Sequence, residues 1–201
     1  MFEVRLRLSK TGKLKYISHL DLQRAIHRML VRSGLPIAYS EGFNPHPRLN
    51  IALPLSIYQE GEREICDFRI TEELEASVIT EKLRKAAFPG MDILYSEYAV
   101  GKPVTKRAIW RLELITDLAP EAFTSAFGGE MQVEKRSKAG IKTVDIAPLI
   151  KFISAEACEN GIVLRVELPA AANDYLNPSY LLQFFGDKIK SKRVVRENII
   201  F

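Results

Sequence analysis

Two hydrophobic periods succeed one another along this chain, and their order constrains the fold more than any single residue does. Residues 2 to 8 alternate, with Phe2, Val4, Leu6 and Leu8 on one face and Arg5 and Arg7 on the other, the period of two of a strand. After a turn at Lys10-Thr11-Gly12-Lys13 the period changes. Leu22, Ala25, Ile26, Met29 and Leu30 recur at three and four, which is one face of a helix. Ser18 and Asp21 open that helix with a pattern close to a capping box, and Gly34 closes it. Pro36 to Ser40 reads as a second strand. Residues 42 to 48 cannot extend it, because Pro45 and Pro47 each remove a ladder donor, while Leu49 to Leu53 can re-enter the sheet at its edge. Ile65 to Ile70 alternates again, a helix is expected over residues 75 to 87 up to Pro89-Gly90, and Met91 to Val100 reads as a strand. Strand, helix, strand, strand, helix, strand is the ferredoxin-like order.

Past a linker at Gly101-Lys102-Pro103 the same succession starts again. Arg107 to Ile115 alternates around Trp110, Leu112 and Leu114. A short helix opens at Pro120 and stops before Gly128-Gly129, and Met131 to Arg136 follows as a strand. Asn160-Gly161 signals a two-residue hairpin. Pairing across it sets Ala157, Ala155 and Ile153 opposite Leu164, Val166 and Leu168, with Glu156 opposite Arg165 on the other face. A last helix begins at Asn177-Pro178, and residues 193 to 201 form a closing strand. The expected fold is α+β: two ferredoxin-like (βαββαβ) units with antiparallel sheets, residues 1–100 and 107–201. Residues 101–106 would link them, and the second unit would carry an insertion between residues 137 and 152.

With 201 residues, 47% of them hydrophobic, the chain can bury real cores. No apolar run approaches the roughly 20 residues that span a bilayer. The N-terminal segment has no signal-peptide core, so the expected location is cytoplasmic, with no membrane partner. Cys66 and Cys158 stand far apart and make neither a metal cluster nor a disulfide framework. Charge is unevenly spread. The first 50 residues carry nine Lys/Arg against three Asp/Glu, an excess of +6, within a chain of net charge +4. Smaller basic clusters lie at Lys135, Arg136, Lys138 and Lys142, and at Lys188, Lys190, Lys192, Arg193 and Arg196. Each is either a solvated face or a place where a polyanion such as RNA concentrates.

All three histidines, His19, His27 and His46, fall between residues 18 and 48. His19 lies in the first turn of the helix begun by Ser18, where free N–H groups suit an anion; it can equally serve the helix entry. His27 is expected on the solvated side among Arg24, Arg28 and Arg32, whose spacing lets them track phosphates. Pro45 and Pro47 stiffen the loop that presents His46, and Asn44, Arg48 and Phe43 add donors and a stacking face. These residues form the candidate anion or nucleic-acid site. His46 and His19 are the candidate acid–base residues, with no catalytic residue firm. His19 and His27 are eight apart, not the four of a helical zinc pair, so no metal site is expected. Cys66, on an apolar strand face, reads as core rather than nucleophile.

Tyr16-Ile17-Ser18-His19-Leu20-Asp21-Leu22 with Arg24, followed by the run from Pro36 through Gly42-Phe43-Asn44-Pro45-His46-Pro47-Arg48, resembles the bacterial radical SAM-linked protein family, a domain of unknown function. Thr143 to Leu149 also fits its pattern. The resemblance implies a chain fused to, or encoded beside, a radical SAM protein with a cobalamin-binding-like region. The iron-sulfur cluster, S-adenosylmethionine and cobalamin would belong to that partner, since no Cys-x-x-x-Cys-x-x-Cys stands here and no cofactor is expected in this chain. Three functions compete: a non-catalytic RNA-binding or substrate-presenting accessory, an RNA-processing enzyme using His46 or His19, and a protein–protein adaptor.

Overall fold

The alternating N-terminal segment forms strand β1 (Phe2–Lys10), and its two faces organise everything packed around it. The computed structural model describes residues 1–137 and 140–201. Lys138, part of one basic cluster, lies outside the described residues. The chain is mixed α+β with antiparallel sheet strands, in two compact units, Met1–Val104 and Thr105–Phe201.

In the first unit β1 is followed by α1 (His19–Arg32), β2 (Leu49–Ile51), β3 (Gln59–Ile70), α2 (Ala76–Ala86) and β4 (Ile93–Tyr98). β1 lies between β3 and β4, and β2 pairs with β3, all antiparallel. Val4, Leu6 and Leu8 share a face with Cys66, Phe68 and Ile70. Leu22, Ile26, Met29 and Leu30 of α1 and Ile79 and Leu83 of α2 cover that face to make one core. Each such side chain contributes about 1.5–3 kcal/mol of burial. The other face is charged. Arg5 grips Asp67 with two bonds of 2.9 and 2.8 Å, Arg69 lies 3.6 Å from Glu3, and Arg7 lies 3.7 Å from Glu97.

Pro36 to Ser40 is not the second strand. It makes only isolated bridges, Ile37 to Ile70 and Tyr39 to Pro47, and Leu49–Ile51 takes the edge position beside β3. The segment folds back on itself instead: Ser40 N–H donates to the His46 carbonyl at 2.8 Å, and Arg48 N–H to that of Ala38 at 3.3 Å. Gly42, at φ +114°, allows the reversal between them. The helix expected over 75 to 87 and the strand expected over 91 to 100 are present as α2 and β4.

The second unit holds β5 (Arg107–Ile115), α3 (Pro120–Phe127), β6 (Gln132–Ser137), β7 (Gly140–Asp145), β8 (Lys151–Cys158), β9 (Gly161–Ala171), β10 (Asp174–Tyr175), α4 (Ser179–Phe185) and β11 (Ser191–Ile200). β5 lies between β9 and β11, and β8 and β10 both pair with β9. The strand expected over residues 131 to 136 exists but, among the described residues, pairs with β7 alone, in a separate ribbon. β8 fills the place beside β9. The basic cluster near the C-terminus is largely committed. Arg193 reaches Glu113 at 3.2 Å, Lys190 pairs with Asp117, and Arg196 is fully buried with its guanidinium 5.4 Å from the Trp110 ring centre.

The hairpin register differs from the expected one by two residues. Ala157 faces Ile162 and Ala155 faces Leu164; Glu159-Asn160 makes the turn, and Cys158 pairs with Gly161. A bulge between Phe152 and Ser154 leaves Ile153 44% exposed and brings Phe152 opposite Val166. A slip of two keeps every side chain on its own face, so alternation alone cannot distinguish the registers. Glu156 and Arg165 still meet, at 3.4 Å. Gly161 is required by the neighbouring strand rather than by the turn: a Cβ there would stand 2.0 Å from the Leu114 carbonyl oxygen, at φ +156°. Gly161→Ala should therefore cost about 1–3 kcal/mol, the range of an overpacked site. A urea midpoint equal to that of the wild type would contradict this.

Candidate functional site

Helix α1 begins where its side chains can satisfy its own end. Ser18 is the N-cap, and its Oγ accepts the Asp21 N–H at 3.2 Å while donating to Asp21 Oδ2 at 2.7 Å. Asp thus performs the reciprocal task usually given to Glu or Gln. That hydroxyl, then Arg24 at 3.2 Å, holds the Asp21 carboxyl below its ordinary range. His19 follows the cap, half-buried, with Nδ1 enclosed and without a hydrogen-bond partner among the described residues.

His27 is where the expectation fails. It is half-buried, not solvated, and its ring centre lies 6.0 Å from that of His46. The cause is the fold-back of residues 37–48, which sets the buried Pro47 against the flank of α1. Burial, then the neighbouring His46, push the His27 imidazole below its ordinary 6.5, against an opposing contact with the Pro47 backbone. Its Nε2 is enclosed and has no partner among the described residues. His46 itself is exposed, but its orientation is held. Its backbone N–H donates to Ser40 Oγ at 3.1 Å, and its Nδ1 lies 3.1 Å from Ser40 Oγ and 3.2 Å from the Asn44 carbonyl.

The cations differ in what they are already doing. Arg24 pairs with Asp21, and Arg32 donates to the Ala86 carbonyl at 3.0 Å. Lys82 returns the contact, donating to the Gly34 carbonyl at 3.0 Å, so the concavity lined by Arg32, Lys82 and Lys85 sits on two helix ends. Arg28 and Arg48 are exposed, and neither guanidinium has an ion pair or hydrogen bond among the described residues. Phe43 is fully exposed and Asn44, next in sequence, is exposed as well. Arg48 lines a shallow concavity of about 350 Å³ with Asn50, Arg69 and Lys102 and with the carboxylates of Glu3 and Asp67.

One pair escapes sequence reasoning. Tyr16 and Tyr58 are 58% and 68% exposed and meet edge-to-face at 5.9 Å, with the Lys15 ammonium 5.3 Å from the Tyr16 ring centre. Tyr58 has φ 69°, and it is the single non-glycine residue at positive φ among the described residues. Nothing in its local sequence marks that conformation, which a 2.6 Å bond from its N–H to the Lys15 carbonyl accompanies. Cys66 is core as expected, its thiol pushed well up by burial. Among the described residues no three His, Cys, Asp or Glu side chains gather as a metal site, and no helix is long and apolar enough to cross a membrane.

The fold and site thus define a two-unit α+β protein whose distinctive feature is a proline-stiffened histidine loop docked on its first helix. Residues 3–178 match the profile of a family described as an uncharacterized protein conserved in bacteria, DUF2344, and the chain belongs to that family. No curated protein matches it.

Ser18→Ala should lower stability by about 1 kcal/mol, the usual worth of an N-cap hydroxyl, read as a shift in the urea midpoint. A pH dependence follows from His27. Because its folded value is depressed, its contribution to stability is fully present above 6.5 and is lost as pH falls through the folded value. Thermal midpoints should therefore decline on acidification below about pH 6.5, and His27→Gln should flatten that decline. Identical slopes in the two proteins would refute the assignment.

Proposed function

We propose that this chain is a non-catalytic RNA-binding module that presents its nucleic acid to a radical SAM partner. The observation carrying this reading is the set of uncommitted groups on one unit: Arg28 on α1, and Arg48 with the fully exposed Phe43 on the loop docked against it. Two guanidinium groups without an ion pair among the described residues suit phosphates, and a bare aromatic face suits an unstacked base. Tyr16 and Tyr58 beside Lys15 offer a second stacking surface. The strand orders β2-β3-β1-β4 and β8-β9-β5-β11, with helices between the strands, support reading both units as ferredoxin-like, the second with β6–β7 inserted. Many ferredoxin-like RNA binders use aromatic residues on the open sheet face. Here Arg5, Asp67, Arg69, Glu3, Arg7 and Glu97 occupy that face of the first unit with ion pairs, which favours the α1 and loop side.

The radical SAM partner comes from the resemblance of the Ser18–Asp21 and Gly42–Arg48 segments. It would bring the iron-sulfur cluster, S-adenosylmethionine and cobalamin chemistry, and this chain would orient the substrate.

Fluorescence anisotropy with a single-stranded RNA, over roughly 50 to 200 mM salt, tests the binding. Affinity should fall steeply with salt, and Arg28→Ala with Arg48→Ala should reduce the logarithmic slope by about 0.7 per residue. Absence of salt-dependent binding, with the radical SAM protein still captured, would make the chain an adaptor. RNA cleavage abolished by His46→Ala with binding intact would make it an enzyme.

A further inference from the structure

His27 and His46 are nineteen residues apart, across helix end, turn and loop, and the fold brings their rings together. Their environments are alike in one respect that matters chemically. In His46 the Nδ1 atom lies 3.2 Å from the Asn44 carbonyl and 3.1 Å from Ser40 Oγ, so that nitrogen is engaged within the loop and Nε2 is the one left for another partner. In His27 the ring leans on the Pro47 backbone while Nε2 is enclosed, with no partner among the described residues. An enclosed imidazole nitrogen without a protein partner is one whose lone pair a metal ion can satisfy. Enclosing such a nitrogen without a partner otherwise costs about 1–3 kcal/mol.

We propose that His27 and His46 together bind one late first-row divalent cation, Zn²⁺ being the representative, through their Nε2 atoms. With metal–nitrogen bonds of about 2.0–2.1 Å, two imidazoles on one ion place their ring centres about 5–6.5 Å apart. The observed separation is 6.0 Å, with the rings tilted by 41°. The donor set selects the metal. Imidazole suits zinc, nickel, copper and iron, whereas calcium and magnesium require oxygen ligands, and no carboxylate joins this pair in a three-ligand cluster among the described residues. Two protein ligands leave the remaining positions to solvent or to a bound anion on the exposed His46 side. One ligand sits on α1, whose burial fixes its position. The other sits between Pro45 and Pro47, so neither need be ordered at the moment of binding. The proposal does not rest on RNA binding; either can fail while the other holds.

Titration calorimetry of the full chain with ZnCl₂ and NiCl₂, combined with imidazole ¹H–¹⁵N spectra, tests it. One equivalent should bind with saturation, and the Nε2 resonances of His27 and His46 should move while those of His19 stay. His27→Ala and His46→Ala should each weaken binding by at least about tenfold. His19→Ala, with its lone enclosed nitrogen elsewhere on α1, should bind as the wild type does. Since His27 is partly buried, the wild-type measurement is decisive without any variant: no saturable binding near neutral pH overturns the proposal. So does binding that survives when His27→Ala and His46→Ala are combined, or that His19→Ala weakens equally.

Discussion

The first unit depends on the burial of one face of β1. Val4, Leu6 and Leu8 form the floor on which Ile26, Met29 and Leu30 rest, all of them almost completely withdrawn from solvent. This packing sets both the depth and the rotation of α1, because helical and strand periods allow few ways to lay that stripe on that floor. Rotation then decides chemistry. The core stripe faces β1, the histidines fall on its flank, and Arg24 and Arg28 point to solvent. The alternating charges on the far face of β1 remain compatible with this because Arg5 closes on Asp67, which is itself almost fully buried. A carboxylate enclosed without that fork would oppose the sheet rather than hold it.

Much of this could be read in the sequence wherever a periodic pattern coincided with a clear stop. The helix opened by Ser18 and closed by Gly34, the alternation from Arg107 to Ile115, and the helix between Pro120 and Gly128 all appear as read. What escaped shares one cause: it depends on which distant segment is adjacent. Residues 59 to 64 of β3 carry three glutamates and no apolar periodicity, yet they are strand because β1 pairs with them as far as Lys10 and Gly61. Gly161 looks like a turn residue and is in fact clearance for the Leu114 carbonyl. His27 stands among arginines and looks solvated until a loop nearly twenty residues later closes over it. The candidate site was legible as a list of residues, and its pairing was not.

Charge shows the same limit in another form. The N-terminal excess of +6 counts residues that the fold assigns to quite different tasks. Arg5 and Arg7 stand in ion pairs across the sheet, Lys10 is buried with its ammonium 3.2 Å from the Gln59 carbonyl, and Lys15 leans toward Glu60. Arg24 answers Asp21 and Arg32 answers Ala86. Lys13, Arg28 and Arg48 remain. A polyanion would therefore meet a few placed cations rather than a diffuse field.

The exchange between the ends of the two helices has a mechanical meaning. Each helix C-terminus carries about half a negative charge. Arg32, at the end of α1, donates to the last turn of α2, and Lys82, from α2, donates just beyond the end of α1. Each helix thus neutralises the other's terminus, and neither can twist or slide alone without exposing an uncompensated end. The clasp joins α1 and α2 into one stiff plate. Any load placed on the solvent side of α1 is borne across both helices, so that surface is a preformed shape.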